Sequence, residues 1–425
     1  LTAHDGLAPG VLNRLSSSVN SDTGVAMGTF SYSEVGLLRL EPYAFYDDDF
    51  AEIDKHQGDC IADSFSQPSS GRVGCNFGNE QAIPSHNGFL GRFIPDHYRL
   101  DSTSLSPACH SFNYMSQPFD LAYTISARNN QDEMTLKYHA DYVKMDAINF
   151  SAEQLNRQNH VSIPGYDLNI NSSGAARLVR PYKNEAFIYD KAGWQHGIYE
   201  VNNATASFLK DSLLIDGPFE SLDIGIILTD SDGVNFDLLD MQVEVNNDSC
   251  HRHSPNDCTA RKLATTDLRY GRLNLTNIYG QGLEAQLMPL FTEYYQGQAF
   301  IKNTDDQCTR INLATQVVLN NGSTLQAGHQ AIAIGSSSTT ATLANTPMLS
   351  GTAGLTFSAV GSGHSGYTEL SFRCTSSLTA FCQTHAWLLF DWDNDANTAQ
   401  TTPVARATFG LYDGSSQQIY FREIY

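Results

Sequence analysis

Four oxygen-bearing side chains at alternate positions, Asp391, Asp393, Asp395 and Asn397, form the densest candidate site for chemistry in the sequence. Hard oxygen ligands at that spacing can wrap a Ca²⁺ ion at about 2.3–2.6 Å. The loop is no EF-hand, which needs Gly at its sixth position and Glu at its twelfth; Ala396 and Thr402 stand there. An acidic solvent loop between strands is the alternative. Asp230, Asp232 and Asp237, with Asn235 among them, make a weaker calcium candidate, against which stands a plain Asp-Gly turn. His251 and His253, beside Asp248 and Asp257, could hold a transition metal if their rings converge, but two histidines do not make a structural zinc site.

Catalytic patterns are sparse. The sequence has no Gly-X-Ser-X-Gly elbow with an attendant His, no His-Glu-X-X-His and no phosphate-cradling loop. Ser362 and His364, within Gly361-Ser-Gly-His-Ser-Gly366, come nearest and read as loop. The expectation is a protein that is not an enzyme. Carboxylate pairs for glycoside hydrolysis need not be neighbours in sequence, so an extracellular polysaccharide hydrolase stands as the alternative.

These residues must be positioned by strands. Only 17% of the 425 residues are charged and 41% are hydrophobic, with Gly, Ser, Thr, Asn, Tyr and Phe abundant, a composition suited to short strands and turns. Leu121, Tyr123 and Ile125 alternate with Ala122, Thr124 and Ser126, the pattern of a half-buried strand. A turn at Asn129-Asn130 predicts a hairpin partner over Met134–Met145, and a short helix is expected near Ala152–Asn156. Leu222–Leu228, Leu268–Leu275 and Leu290–Tyr295 read as further strands, and Ala405–Tyr425 as a closing hairpin about Asp413-Gly414. The fold class is all-β: two or three disulfide-stapled, Ig-like β-sandwich modules with long loops. Their expected limits are 1–100, 101–310 with a polar insertion near 150–180, and 311–425. No exact internal repeat is visible.

Eight cysteines point to disulfides and an oxidising compartment. Cys60 with Cys75, Cys250 with Cys258 and Cys374 with Cys382 are short-range pairs, and Cys109 with Cys308 would make a long-range fourth; eight cysteines nonetheless admit 105 pairings. A net charge of −21 without a basic cluster disfavours nucleic acid and anionic membranes. No run approaches the roughly 20 apolar residues of a membrane span. The chain opens at Leu1 without a signal-peptide pattern, as expected of a mature or partial product.

Seven runs occur in one order: Thr29–Gly36, Gly91–His97, Phe112–Phe119, Tyr270–Leu275, Asn303–Cys308, Asp391–Asp395 and Ala407–Tyr412. In that order, over about residues 28–425, the chain resembles the C-terminal domain of MshQ-like biogenesis proteins of the MSHA type IV pilus of Gram-negative bacteria. The resemblance implies an exported, pilus-associated surface protein, adhesin-like or a tip or assembly component. Its implied partners are pilus or other surface proteins, a surface receptor or a glycan. Self-assembly into a filament by exchange of edge strands is the further alternative. The family's acidic loop usually reads Asp-Trp-Asp-Gly-Asp-Gly, whereas Asn394 and Ala396 replace both glycines here; Asn accepts a left-handed turn more readily than Ala.

Overall fold

A computed structural model describes residues 2–3, 10–20, 22–23, 25–47, 52–84, 88–153, 155–156, 161–162, 189–210, 215, 217–241, 258–319, 325, 331–394 and 400–410. Strands dominate. The N-terminal part contributes β1 (Thr2–Ala3), β2 (Leu12–Asn20), β3 (Val25–Tyr32), β4 (Gly36–Arg39), β5 (Tyr46–Asp47), β6 (Phe77–Gly78) and β7 (Leu90–Phe93). They form a small β1-β4-β7 sheet and two hairpins. The core here is slight, Tyr32, Leu38 and Leu40 with Leu12, Leu90 and Phe93 around them, and the Cys60–Cys75 disulfide staples the following loop. This part leans on its neighbour: the Glu34 carboxylate accepts from the backbone N–H groups of Leu136 (3.1 Å) and Lys137 (3.0 Å).

Two sandwiches follow. The first comprises β8 (His97–Ser106), β9 (Phe112–Tyr114), β10 (Phe119–Arg128), β11 (Met145–Glu153), a small hairpin β12 (Leu155–Asn156) and β13 (Val161–Ser162), then β14 (Trp194–Gln195), β15 (Ile198–Ala206), β16 (Phe219–Asp230) and β17 (Arg261–Arg269). Sheet β14-β15-β10-β8 faces sheet β11-β16-β17-β9 across one core that includes Leu121, Tyr123, Ile125, Trp194, Leu222, Ile224 and Ile226. The alternation read in β10 holds through Ile125, with Leu121, Tyr123 and Ile125 buried; past a register shift at Thr124/Ile125, Ser126 is buried as well, against expectation. Met134–Met145 is not its partner. Arg128 and Met134 share one isolated bridge, the chain then turns through a short 3-10 helix, and β10 pairs with β8 and β15 instead. No helix forms at Ala152–Asn156, where β11 and β12 lie.

The second sandwich comprises β18 (Gly271–Leu275), β19 (Ile278–Gly280), β20 (Gln286–Tyr295), β21 (Phe300–Lys302), β22 (Val317–Leu319), β23 (Ile332–Ile334), β24 (Ser337–Thr339), β25 (Ala341–Leu349), β26 (Thr352–Phe357), β27 (Gly366–Phe372) and β28 (Ala405–Phe409). Sheet β25-β26-β20-β18 faces β22-β27-β28-β19. Strand for strand this is the order of the first sandwich. In both, the second strand crosses to the opposite sheet and pairs in parallel with the last, β9 with β17 and β19 with β28. The four-plus-four arrangement matches the ABED and CFG sheets of an immunoglobulin-like domain, with the crossing strand added to the CFG sheet. The chain therefore holds a repeated architecture with no repeated sequence.

The boundary differs from expectation. Leu268–Leu275 reads as one strand, but β17 ends at Arg269 and β18 begins at Gly271, so the two sandwiches join across Tyr270 alone. Residues 271–302, expected in the central module, build the second sandwich. Just ahead of the acidic loop, Ala386–Leu388 forms a 3-10 helix. Of the closing hairpin, only residues 405–410 lie within the described residues, with β28 at Ala405–Phe409.

Cys374 is bonded to Cys382, Cys258 is disulfide-bonded, and Cys109 is bonded to Cys308 with Cα atoms 5.4 Å apart. Cys250 lies outside the described residues. The Cys109–Cys308 bond spans 199 residues and ties the first sandwich to the second. Replacing both cysteines by Ser should lower unfolding free energy by about 2–5 kcal/mol and split a single urea transition into two. One unshifted transition would show that the bond does not couple the sandwiches.

Candidate functional site

The chemistry of the described residues concentrates where the sandwiches meet. Cys109, Phe112 and Tyr114, all from the first sandwich, are fully buried within the core of the second. Gly271 makes room for them: a Cβ there would lie 2.4 Å from the Tyr114 ring. Tyr114 carries its hydroxyl to Asp306, a carboxylate with no exposed surface. Four donors converge on that carboxylate. The Tyr114 hydroxyl (2.9 Å) and the Thr309 hydroxyl (2.6 Å) reach Oδ2, while the backbone N–H groups of Cys308 (3.0 Å) and Thr309 (2.9 Å) reach Oδ1. Hydrogen bonds of this kind stabilise a buried carboxylate without a partner cation. Burial, reinforced by Asp306, pushes the Tyr114 phenol well above its ordinary value, so it remains a donor at every physiological pH.

Cations complete the joint. Lys210, half-buried, donates to the carbonyls of Gly271 (2.5 Å), Trp387 (3.2 Å) and Leu389, with the Tyr270 ring 4.4 Å away. Burial and nearby Arg272 pull its ammonium well below the usual lysine value. Three carbonyl acceptors nevertheless match the three protons of the charged form, since a neutral amine supplies only two donors. Arg269 pairs with Asp305 (2.7 Å) and with Asn303, lying between the rings of Phe112 and Tyr294. Arg272 sits over Phe300, Phe390 and Trp392 and bonds Glu293 (2.7 Å).

Three of the runs quoted above, Phe112–Phe119, Tyr270–Leu275 and Asn303–Cys308, meet at this joint. Taken singly, Tyr114, Lys210 and Asp306 read as surface residues, and their partners lie far away in sequence. Besides those runs, the long-range Cys109–Cys308 pair is the signal in the sequence that points here.

The expected calcium residues are placed as follows. Asp391 and Asp393 are described; Asp395 and Asn397 lie outside the described residues. One buried oxygen of Asp391 has no hydrogen-bond partner among the described residues, and Asn394 takes the left-handed conformation, φ 54°, that a glycine would otherwise serve. At the second candidate the acceptors are already taken. Asp232 binds the Arg92 guanidinium through both oxygens, and Asp230 accepts from the Tyr98 hydroxyl (2.5 Å) and the Asp232 N–H (2.7 Å). The Asp237 backbone N–H donates to the Tyr98 carbonyl at 2.9 Å. The turn is thus held by protein donors. Among the described residues, the ligand atoms of Cys109, Asp306 and Cys308 do converge, but both sulfurs are spent in the disulfide and the carboxylate is occupied. His251, His253, Asp248 and Asp257 lie outside the described residues. Ser362 and His364 do not form a nucleophile pair: the His364 ring meets the Ser336 hydroxyl at 3.1 Å.

Fold and joint together define the class: tandem immunoglobulin-like sandwiches fused through a buried polar core. The chain carries two consecutive domains of the DUF6701 family, residues 69–256 matching its third domain and residues 269–424 its fourth. The fourth-domain match begins at Arg269, beside the boundary seen between β17 and β18. No curated protein matches the chain. Among solved structures, a marsupial T cell receptor aligns with 74% of this chain and 73% of its own at 11% identity and a TM-score of 0.25. The titin domains Z1Z2 in complex with telethonin align over 75% and 97% at 7% identity and a TM-score of 0.16. Among the described residues no helix is long and apolar enough to cross a membrane.

His385 sits against the same core, stacked on Phe381 with ring centroids 4.9 Å apart and its Nδ1 2.9 Å from the Thr384 hydroxyl. Burial lowers its pKa from 6.5 to about 4. The unfolded chain therefore binds the proton first, so this contribution is complete above the ordinary histidine value and is lost as pH falls toward 4. The loss should reach about 3 kcal/mol. Melting curves from about pH 7 down to 4 should fall less steeply for His385→Gln than for the native chain; parallel curves would remove the assignment.

Proposed function

We propose that this chain is a rigid segment of an exported surface protein associated with a type IV pilus, adhesin-like or acting at the tip or in assembly. One observation carries the reading. The two sandwiches meet without a linker through a disulfide, a buried carboxylate and the half-buried Lys210, which suits a stiff spacer better than a pair of hinged domains. The resemblance to MSHA biogenesis proteins supports the pilus association, and the disulfides support export. Its partners are other pilus or surface proteins.

Deleting residues 97–410 from the chromosomal copy should leave pilus number unchanged and reduce surface attachment about tenfold. Loss of the pili themselves would assign the chain to assembly, and normal attachment would overturn the reading. Light scattering of the purified chain should show a monomer; a polymer would favour a filament subunit.

A Ca²⁺ ion at the Asp391 and Asp393 loop belongs to the same proposal, favoured by the unpartnered Asp391 oxygen. Added Ca²⁺ should raise the melting temperature and EDTA lower it. An unchanged melt in both removes the ion.

A further inference from the structure

The outer face of sheet β22-β27-β28-β19 carries a row of side chains that packing does not explain. Register places Tyr279 of β19 beside Thr408 of β28, and Thr408 beside Tyr367 of β27. Tyr279 is 62% exposed and Tyr367 50%, in a sheet whose alternate residues Ala405, Ala407, Phe409 and Leu370 are buried. The two tyrosines stand two strand spacings apart, roughly 9.4–9.8 Å. One step along the strands, Arg406 donates to Glu369 (2.9 and 2.5 Å) and lies 4.3 Å from the centre of the Tyr367 ring, holding it in place. Four residues beyond Tyr367, about 13–14 Å along the strand, Ser371 enters a cavity of about 660 Å³ lined also by Trp392, Asp393, Gln400, Thr401 and Thr402.

We propose that this face binds an extended, uncharged polysaccharide. Aromatic ring faces are electron-rich and attract the C–H faces of sugar rings, as they attract other positive edges. Two exposed rings at this separation suit alternate sugars of an extended chain, whose two-residue repeat is of similar length. Between them and the cavity lies the mutually neutralised Arg406–Glu369 pair, and the cavity itself carries the hydroxyl-bearing Ser371, Thr401 and Thr402, groups that can hydrogen-bond sugar hydroxyls. A protein partner fits less well, because interface cores exclude charged residues and this face has an ion pair at its centre. The net charge of −21 repels anionic polymers, which leaves the neutral ones.

This inference deepens the surface-module reading by naming what the surface holds. The purified chain should be retarded in native gels containing a neutral polysaccharide, with hydroxyethyl cellulose, a mixed-linkage β-glucan and a mannan as the probes and alginate as the anionic control. Tyr279→Ala and Tyr367→Ala should each weaken retardation about tenfold, while Tyr367→Phe retains it and melting temperatures stay unchanged. Retardation by none of the three polymers, or Ala variants that bind like the native chain, would overturn the inference. So would a dimer in sedimentation that the same Ala substitutions dissociate, since the face would then belong to a second copy. Because binding is read on isolated chain, its failure leaves the attachment experiment in cells to judge the surface-module reading separately.

Discussion

The carboxylate of Asp306 is the constraint on which the arrangement of this molecule rests. A charge with no exposed surface costs several kcal/mol of lost hydration, and among the described residues no cation pairs with it; four hydrogen bonds offset the cost instead. Three of those donors come from Thr309 and Cys308 in the second sandwich, and the fourth from Tyr114 in the first. A rotation of one sandwich against the other would withdraw the Tyr114 hydroxyl and leave a buried charge under-satisfied. The carboxylate therefore selects one relative orientation, and the Cys109–Cys308 bond, with the Cys308 sulfur 3.4 Å from Oδ1 of Asp306, restrains the chain around it. Gly271 and Lys210 close the other side of the same joint, through the Tyr114 ring and three carbonyls of the second sandwich.

How much of this was legible in the sequence depends on the range of the interactions. The β10 alternation at Leu121, Tyr123 and Ile125 was visible because a half-buried strand writes its burial into adjacent residues. The all-β class followed from composition for the same local reason. The shared topology of the two sandwiches was not visible, since it resides in which strands pair, and strands as short as β14 and β22 carry too few residues to announce a partner. The boundary at Tyr270 was hidden by continuous β-favouring sequence on both sides. The joint was hidden for a third reason: Tyr114 and Asp306 lie 192 residues apart, and each alone looks like an ordinary polar surface residue.

The acidic balance of the chain also takes on shape. Many of its few cations are committed to carboxylates across strands, Lys262 to Asp223, Arg261 to Asp240 and Arg406 to Glu369. Exposed pairs of this sort add little stability. Their effect is on the surface field: local neutrality appears where pairs form, and the remaining carboxylates dominate elsewhere. Beside Tyr367 the Arg406–Glu369 pair is such a locally neutral spot.

The joint and the face are linked by mechanics. The outer strands that present Tyr279 and Tyr367 belong to the second sandwich, whose β18 begins one residue after β17 of the first. A flexible linker would let the face reorient freely, so that each contact would first have to overcome the entropy of alignment. A joint that is disulfide-bonded and internally hydrogen-bonded removes that freedom before any ligand arrives. Pull exerted along the chain then reaches the face through packed strands and a covalent bond, so a bound polymer would be held by a surface of fixed orientation. That coupling gives a physical reason for placing so many polar groups inside a junction where apolar side chains would have packed at lower desolvation cost: hydrogen bonds specify an angle, and apolar contacts alone do not.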